Sequence, residues 1–202
     1  MKRLFLLILA LCSGLSAVSA QDPGKRMTIT VDAAGFTSVF AHDANLAKSS
    51  LLEDGANVLQ IGADGCFAFA PSFRLGIGAG YRFYAGKMKV GAVDEGSYRQ
   101  FRQQSVPVCL MAGMSPSQWR VAPFLKVKAG YNIPTRCHGD DAYLVYEGFT
   151  AEGDAGLRFK GRHVDYRLGL ALMLDSIRNS STGDHALVPF LGLRIGMTTL
   201  SF

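Results

Sequence analysis

Apolar and polar residues alternate one by one along eight stretches of this chain: 28–40, 57–70, 73–84, 99–114, 119–132, 147–160, 163–174 and 187–199. A period of two marks a β-strand, because successive side chains point to opposite faces. In the third stretch Phe73, Leu75, Ile77, Ala79, Tyr81 and Phe83 share one face, and Arg74, Gly76, Gly78, Gly80, Arg82 and Tyr84 share the other. The fifth sets Trp119, Val121, Pro123, Leu125, Val127, Ala129 and Tyr131 against Arg120, Ala122, Phe124, Lys126, Lys128, Gly130 and Asn132. The seventh sets Val164, Tyr166, Leu168, Leu170, Leu172 and Leu174 against Asp165, Arg167, Gly169, Ala171 and Met173. The first, around Ile29, Val31, Phe36 and Phe40, is weakly patterned.

The connectors alternate as well. Those at Pro71-Ser72, at Ser115-Pro116-Ser117-Gln118 and at Gly161-Arg162 are tight, whereas 41–56, 85–98, 133–146 and 175–186 are long. Short turns at one end and long loops at the other predict an all-β chain: an eight-stranded antiparallel up-and-down transmembrane β-barrel. Gly161-Arg162 suits a type II′ hairpin, which would set Phe159 opposite Val164, Leu157 opposite Tyr166 and Arg158 opposite Asp165. A connector at Ala70-Pro71-Ser72 would set Phe69 opposite Phe73 and Phe67 opposite Leu75.

Alternation alone leaves open which face is outside. Three features favour apolar outside. The polar faces carry Asp64, Arg74, Arg82, Arg120, Lys126, Lys128, Glu152, Asp154, Arg158, Asp165, Arg167 and Arg194, which can fill a narrow interior with ion pairs. Aromatic residues gather at strand ends: Phe69, Phe73, Trp119 and Phe159 near the tight turns, and Tyr81, Phe83, Tyr131 and Phe149 near the long loops. Two such girdles are the usual interfacial anchors of a membrane barrel. The chain also ends in Phe202. Eight strands leave a bore just wide enough for side chains, so a plugged interior is expected rather than an aqueous path, with glycines such as Gly76, Gly78, Gly80, Gly169 and Gly192 making room for long cations. Pro107, Pro123 and Pro189 each remove a ladder donor, which bulges would absorb. Leu200 and Phe202 fall out of phase with Leu191, Leu193, Ile195 and Met197, which calls for a bulge near Thr198-Thr199 or an earlier strand end.

The first residues predict a cleavable signal peptide over 1–20, followed by a single barrel domain over 21–202. Lys2 and Arg3 precede the apolar run 4–11, and Val18-Ser19-Ala20 offers small residues for cleavage. The run is too short for a membrane helix. Cleavage lowers the net charge from +5 to +3 by removing Lys2 and Arg3. That excess is spread along the chain, so no nucleic-acid partner is implied.

Several stretches carry a resemblance: 105–108 opening a strand, the run 121–132 (Val-Ala-Pro-Phe-Leu-Lys-Val-Lys-Ala-Gly-Tyr-Asn), and the closing 189–196 (Pro-Phe-Leu-Gly-Leu-Arg-Ile-Gly). In these the chain resembles the small outer-membrane β-barrel domain family common in Bacteroidetes, akin to PorT-like and OmpX/OmpA-like barrels. The resemblance implies an outer-membrane barrel that tolerates strand prolines. It brings no catalytic residues.

Candidate chemistry is sparse. His42-Asp43, His138 with Asp140 and Asp141, and Asp184-His185 fall in predicted long connectors, so they could meet at one rim and bind a divalent metal. With Ser180 or Ser181 they could form a hydrolytic or acyl-transfer set. No fixed spacing supports either, and polar loops contain such residues anyway; His163 reads as a solvated turn residue. The mature cysteines, Cys66, Cys109 and Cys137, are odd in number and show no CxxC pattern. Cys66 and Cys109, on non-adjacent strands, are expected as free thiols facing the interior, the alternative being a disulfide across a narrow lumen. The expectation is therefore a non-enzymatic integral outer-membrane barrel, monomeric, with outer-membrane lipid around it. No catalytic, cofactor or metal residues are assigned, and the long loops are free to contact a protein or surface partner in adhesion, envelope integrity or secretion. The alternatives are a soluble lipocalin-like barrel around an apolar ligand and a membrane-embedded lipid-modifying enzyme.

Overall fold

The structure, a computed structural model, describes residues 27–38, 56–70, 72–89, 98–116, 119–138, 144–162, 164–179, 183 and 185–199. Within them lie β1 (Met27–Ser38), β2 (Ala56–Ala70), β3 (Phe73–Lys89), β4 (Tyr98–Met114), β5 (Val121–His138), β6 (Leu144–Phe159), β7 (Val164–Asn179) and β8 (His185–Thr199). Each strand pairs with its sequence neighbours, and β1 pairs antiparallel with β8 from Thr30↔Thr198 to Ser38↔Phe190. The sheet is thus a closed barrel in simple sequence order. Closure satisfies both edges of every strand. Thr30 Oγ1 and Thr198 Oγ1, 2.9 Å apart, add a side-chain bond across the seam.

The two faces sort as the alternation predicts. Ile77, Leu110, Leu170, Leu193 and Ile195 stand on the outside, each at least 60% exposed, while Arg82, Lys126, Glu152, Asp154 and Arg194 are buried inside. Phe73, Trp119 and Phe159 ring the tight-turn end, and Tyr131 and Phe149 stand on the outer face toward the other end. Arg120 departs from the expected interior set: it lies exposed below the start of β5, where its carbonyl accepts the Lys160 N–H.

Four strands run further than their alternation suggested. Residues 85–89 continue β3, 133–138 continue β5, 144–146 belong to β6 and 175–179 to β7, so much of the predicted loop sequence is paired sheet. The reason is an inversion of the pattern. Toward the long-connector end the inward positions become apolar: Phe36, Ala56, Val58, Tyr146, Ile177, Val188 and Phe190 form a buried cluster with Tyr84, Ala34, Ala171 and Met173. Outward positions there include Thr37, Asn57, Arg102 and Arg136. Backbone pairing continues while the sign of the alternation flips, and a single-phase reading loses the strand. The same inversion explains the weak pattern of β1, in which Val31 points out and Phe36 points in.

Registers differ in places. Phe67 pairs with Leu75 as expected, but a shift between Ala68 and Ala70 gives Phe73 the partner Ala70 instead of Phe69. The β6–β7 hairpin sets Phe159 opposite Tyr166, Leu157 opposite Leu168 and Arg158 opposite Arg167, two residues from the type II′ register. That turn needs a left-handed Gly161, and Gly161 is not at positive φ. Its N–H bonds instead to Asp165 Oδ1 at 3.2 Å. A second irregularity, between Tyr146 and Thr150, centres on Gly148 at φ 97°, a conformation that favours glycine. Pro123 and Pro189 sit in unshifted ladders. At Pro107 the β3–β4 ladder skips from Ala79↔Val108 to Arg82↔Ser105 without changing register. Pro107, Pro123 and Pro189 therefore keep their register, whereas the β4–β5 ladder shifts between Gln104 and Ser105, beside Pro134. The β7–β8 register runs unshifted to Val164↔Thr199, where β8 ends; Leu200 and Phe202 lie outside the described residues, as do residues 1–20.

Candidate functional site

The chemistry of this barrel is concentrated in its bore. Between Arg74 and Arg82 the inward side of β3 is Gly76, Gly78 and Gly80, which lets residues of β2 and β4 approach each other over the missing side chains. A Cβ on Gly76 would fall 2.1 Å from the Gly65 carbonyl oxygen, and one on Gly78 would fall 2.2 Å from Asp64 Oδ1. Across Gly76 the Cys66 thiol reaches Met111 Sδ at 3.3 Å. Across Gly78 the carboxylate of Asp64 turns into the bore.

At mid-height Lys126 Nζ lies 3.1 Å from each of Asp32 Oδ2, Asp64 Oδ2 and Asp154 Oδ2. Lys128 Nζ lies 2.7 Å from Asp64 Oδ1. Arg194 reaches Asp154 at 3.3 Å and Asp32 at 3.6 Å, and donates to Glu152 Oε2. Desolvating charges costs several kcal/mol per ion unless partners and hydrogen bonds offset it. Here each cation faces more than one carboxylate.

Above this layer Arg82, fully buried, uses its whole guanidinium. Nε donates to Gln60 Oε1 at 2.7 Å, Nη1 to Asp175 Oδ1 at 2.6 Å and to Thr150 Oγ1 at 2.9 Å, and Nη2 to Glu152 Oε1. Gln60 Nε2 closes the ring by donating to the same Glu152 oxygen at 3.0 Å. Tyr84 OH donates to Asp175 Oδ2 at 2.6 Å and accepts from Asn132 Nδ2 at 2.9 Å. Gln103 bonds the Tyr146 backbone twice, donating from Nε2 to the carbonyl at 2.8 Å and accepting the N–H at 2.9 Å. The apolar cluster then fills the loop-end lumen.

Of the charges anticipated in the bore, Asp64, Arg74, Arg82, Lys126, Lys128, Glu152, Asp154, Arg158, Asp165, Arg167 and Arg194 all occupy inward positions. Asp32 and Asp175 are members that the alternation did not single out. Asp32 lies on the weakly patterned β1, and Asp175 in what read as a connector. Continuing the inward parity of Asp165, Arg167, Gly169, Ala171 and Met173 would have reached Asp175.

The rim histidines do not assemble a site among the described residues. His138 ends β5 opposite Arg102, and His185 begins β8 opposite Arg178, with an exposed side chain. His42, Asp43, Asp140, Asp141, His163, Ser180, Ser181 and Asp184 lie outside the described residues. Among the described residues no group of three His, Cys, Asp or Glu side chains is placed to hold a metal. Cys66 and Cys109 are free and buried, and Cys137 is free and exposed.

No family model and no curated protein matches the sequence. Among solved structures the chain is similar to the crystal structure of Neisserial surface protein A (NspA), with a TM-score of 0.55 and 16% identity over 89% of this chain and 99% of that one. Weaker likenesses are to outer membrane protein AlkL, solved by solid-state NMR in DMPC lipid bilayers (TM-score 0.41, 11% identity, 91% of each chain), and to the outer membrane protease OmpT from Escherichia coli (TM-score 0.38, 8% identity, 88% of this chain and 96% of that one). What this chain shares with NspA is the fold, an eight-stranded antiparallel barrel closed in sequence order.

Proposed function

We propose that the chain is an integral outer-membrane β-barrel without enzymatic activity, exported by its 1–20 signal peptide. The long connectors stand outside and contact a protein or surface partner. The observation that carries this reading is the polarity of the wall. Leu59, Ile61, Ile77, Leu110, Leu168, Leu170, Leu172, Leu193 and Ile195 form an outward band, each more than half exposed, around a bore of buried ions. A continuous apolar belt on a water-soluble monomer would be an aggregation liability. In lipid it is the required surface, and only a closed barrel or a helix leaves no backbone group unpaired there. The lipocalin-like alternative needs the opposite arrangement, with these leucines around a ligand.

The likeness in fold to NspA agrees with this reading. The finer membership, in the small barrels common in Bacteroidetes, rests on the stretches 105–108, 121–132 and 189–196 and is part of the proposal. So are roles in envelope structure, adhesion or secretion.

Cell fractionation tests it. The chain is expected in the outer-membrane fraction, extracted only by detergent, and to migrate faster on a gel unheated than boiled. A folded form that stays in solution without detergent would overturn the proposal.

A further inference from the structure

Charge is unevenly distributed along the barrel axis. At mid-height and above, Lys126, Lys128, Arg194 and Arg82 are each within reach of at least one of Asp32, Asp64, Glu152, Asp154 and Asp175. Nearer the tight turns the balance changes. Arg74, Arg158 and Arg167 point into the same end of the lumen, and the carboxylate that meets them is Asp165, 3.9 Å from Arg158 Nε.

Arg158 and Arg167 stand directly opposite each other in the β6–β7 ladder, and Arg74 enters the same end of the bore from β3, one residue from its tight-turn start. Like charges facing each other across a ladder are destabilising, and burial sharpens the repulsion. Arg158 is 2% exposed. Its Nη2 donates to the Pro116 carbonyl at 2.6 Å, which aims the guanidinium without neutralising it. Arg167 lies 5.6 Å from the centroid of the Phe124 ring. Arg74 Nη1, Arg158 Nε and Arg167 Nε are buried donors with no hydrogen-bond acceptor among the described residues. Such donors are costly to leave unpaired, and an added acceptor would satisfy them.

Access and charge define that acceptor. Arg74 and Arg167 are half-buried, while Asp64, Lys126 and Asp154 above them are buried and the loop end is filled by Tyr84, Tyr146 and Phe190. Among the described residues the cluster therefore opens toward the tight turns. Among the described residues, three guanidinium groups face Asp165, and Asp64, which also attracts Arg167, is already held by Lys126 and Lys128, so positive charge is in excess. Planar N–H forks that enter one end of the bore from β3, β6 and β7 suit a compact anion with several oxygens.

We propose that Arg74, Arg158 and Arg167 form a binding site for a soluble oxyanion of the phosphate class, reached through the tight-turn mouth of the barrel. A phospholipid headgroup has the same chemistry. It lies outside the wall, beside Phe73, Trp119 and Phe159, whereas these arginines face the bore. The proposal depends on the interior and not on the membrane assignment, which rests on the outer wall.

Calorimetry on the full chain folded in a non-ionic detergent, with inorganic phosphate as the probe at low ionic strength, tests it. Saturable one-site binding is expected, not reproduced by chloride at equal ionic strength. Arg74→Gln and Arg167→Gln should each weaken it at least tenfold. Both variants relieve a repulsion, so both should fold and keep the heat-modifiable gel migration. Absence of saturable binding, or binding indifferent to both substitutions, overturns the site. A response to vesicles containing phosphatidylglycerol but not to free phosphate overturns the soluble ligand in favour of a headgroup.

Discussion

Tyr84 and Tyr146 stack with ring centroids 4.4 Å apart and planes 9° from parallel, at the boundary where the ionic layer of the bore gives way to its apolar cluster. Tyr84 belongs to both sides of that boundary. Its ring packs on Tyr146, while its hydroxyl bonds Asp175 and Asn132. Tyr84→Phe keeps the stack and removes the hydroxyl, leaving Asp175 Oδ2 buried with a donor missing. A loss of about 1–3 kcal/mol is expected. Urea unfolding in detergent micelles, followed by the fluorescence of Trp119, the single tryptophan, checks it. An unchanged midpoint would mean that water replaces the phenol.

Glu152 joins the two ionic layers, since Arg82 and Arg194 both donate to it. Both arginines and Glu152 are buried, so solvent cannot take over the role of the carboxylate. Glu152→Gln is expected to destabilise the barrel by about 3–5 kcal/mol, the cost of breaking a buried pair from one side. Adding Arg194→Gln should recover part of the loss, because partners in one network are not additive. Simple addition of the two single effects would show that the layers act independently.

How far the sequence disclosed this depends on phase. Where the wall is apolar and the bore charged, alternation located the strands, their faces and most of the ion-paired residues, Lys126, Glu152 and Arg194 among them. Toward the loop end Ile177 and Phe190 turn inward, and the same rule misread paired strand as connector, hiding Asp175 and Tyr146. Hairpin register was less legible. It depends on the φ of Gly161 and on the irregularity at Gly148, which residue identity alone does not fix. The arginine cluster was visible as residues but not as a cluster, because the two-residue register difference is what brings Arg158 opposite Arg167.

The filled bore has a transport consequence. Eight strands leave room for little beyond side chains, and here Arg82, Gln60, Tyr84, Gln103, Asn132, Tyr146 and Phe190 are all essentially without exposure. Reconstituted into a planar lipid bilayer, the chain is expected to give no stepwise ion conductance. Steady single-channel steps abolished by refilling the bore, for example with Thr150→Phe, would contradict the closed reading.

The outer wall offers the most direct test of what surrounds the barrel. Leu170 sits on β7 opposite Leu193 on one side and Ala155 on the other, about midway between the strand ends, with its side chain 60% exposed. In water, replacing an exposed leucine by arginine changes little, since a charged group gains hydration and no packing is lost. In hydrocarbon the guanidinium must be dragged from water into the middle of the bilayer, at about 2–4 kcal/mol. Leu170→Arg should therefore lower folding efficiency and stability in phosphatidylcholine vesicles by that amount. The same change at Ser72, exposed at the tight turn, should be nearly silent. Paired unfolding curves in vesicles separate the cases, and equal effects at the two positions would remove lipid from the description of this wall.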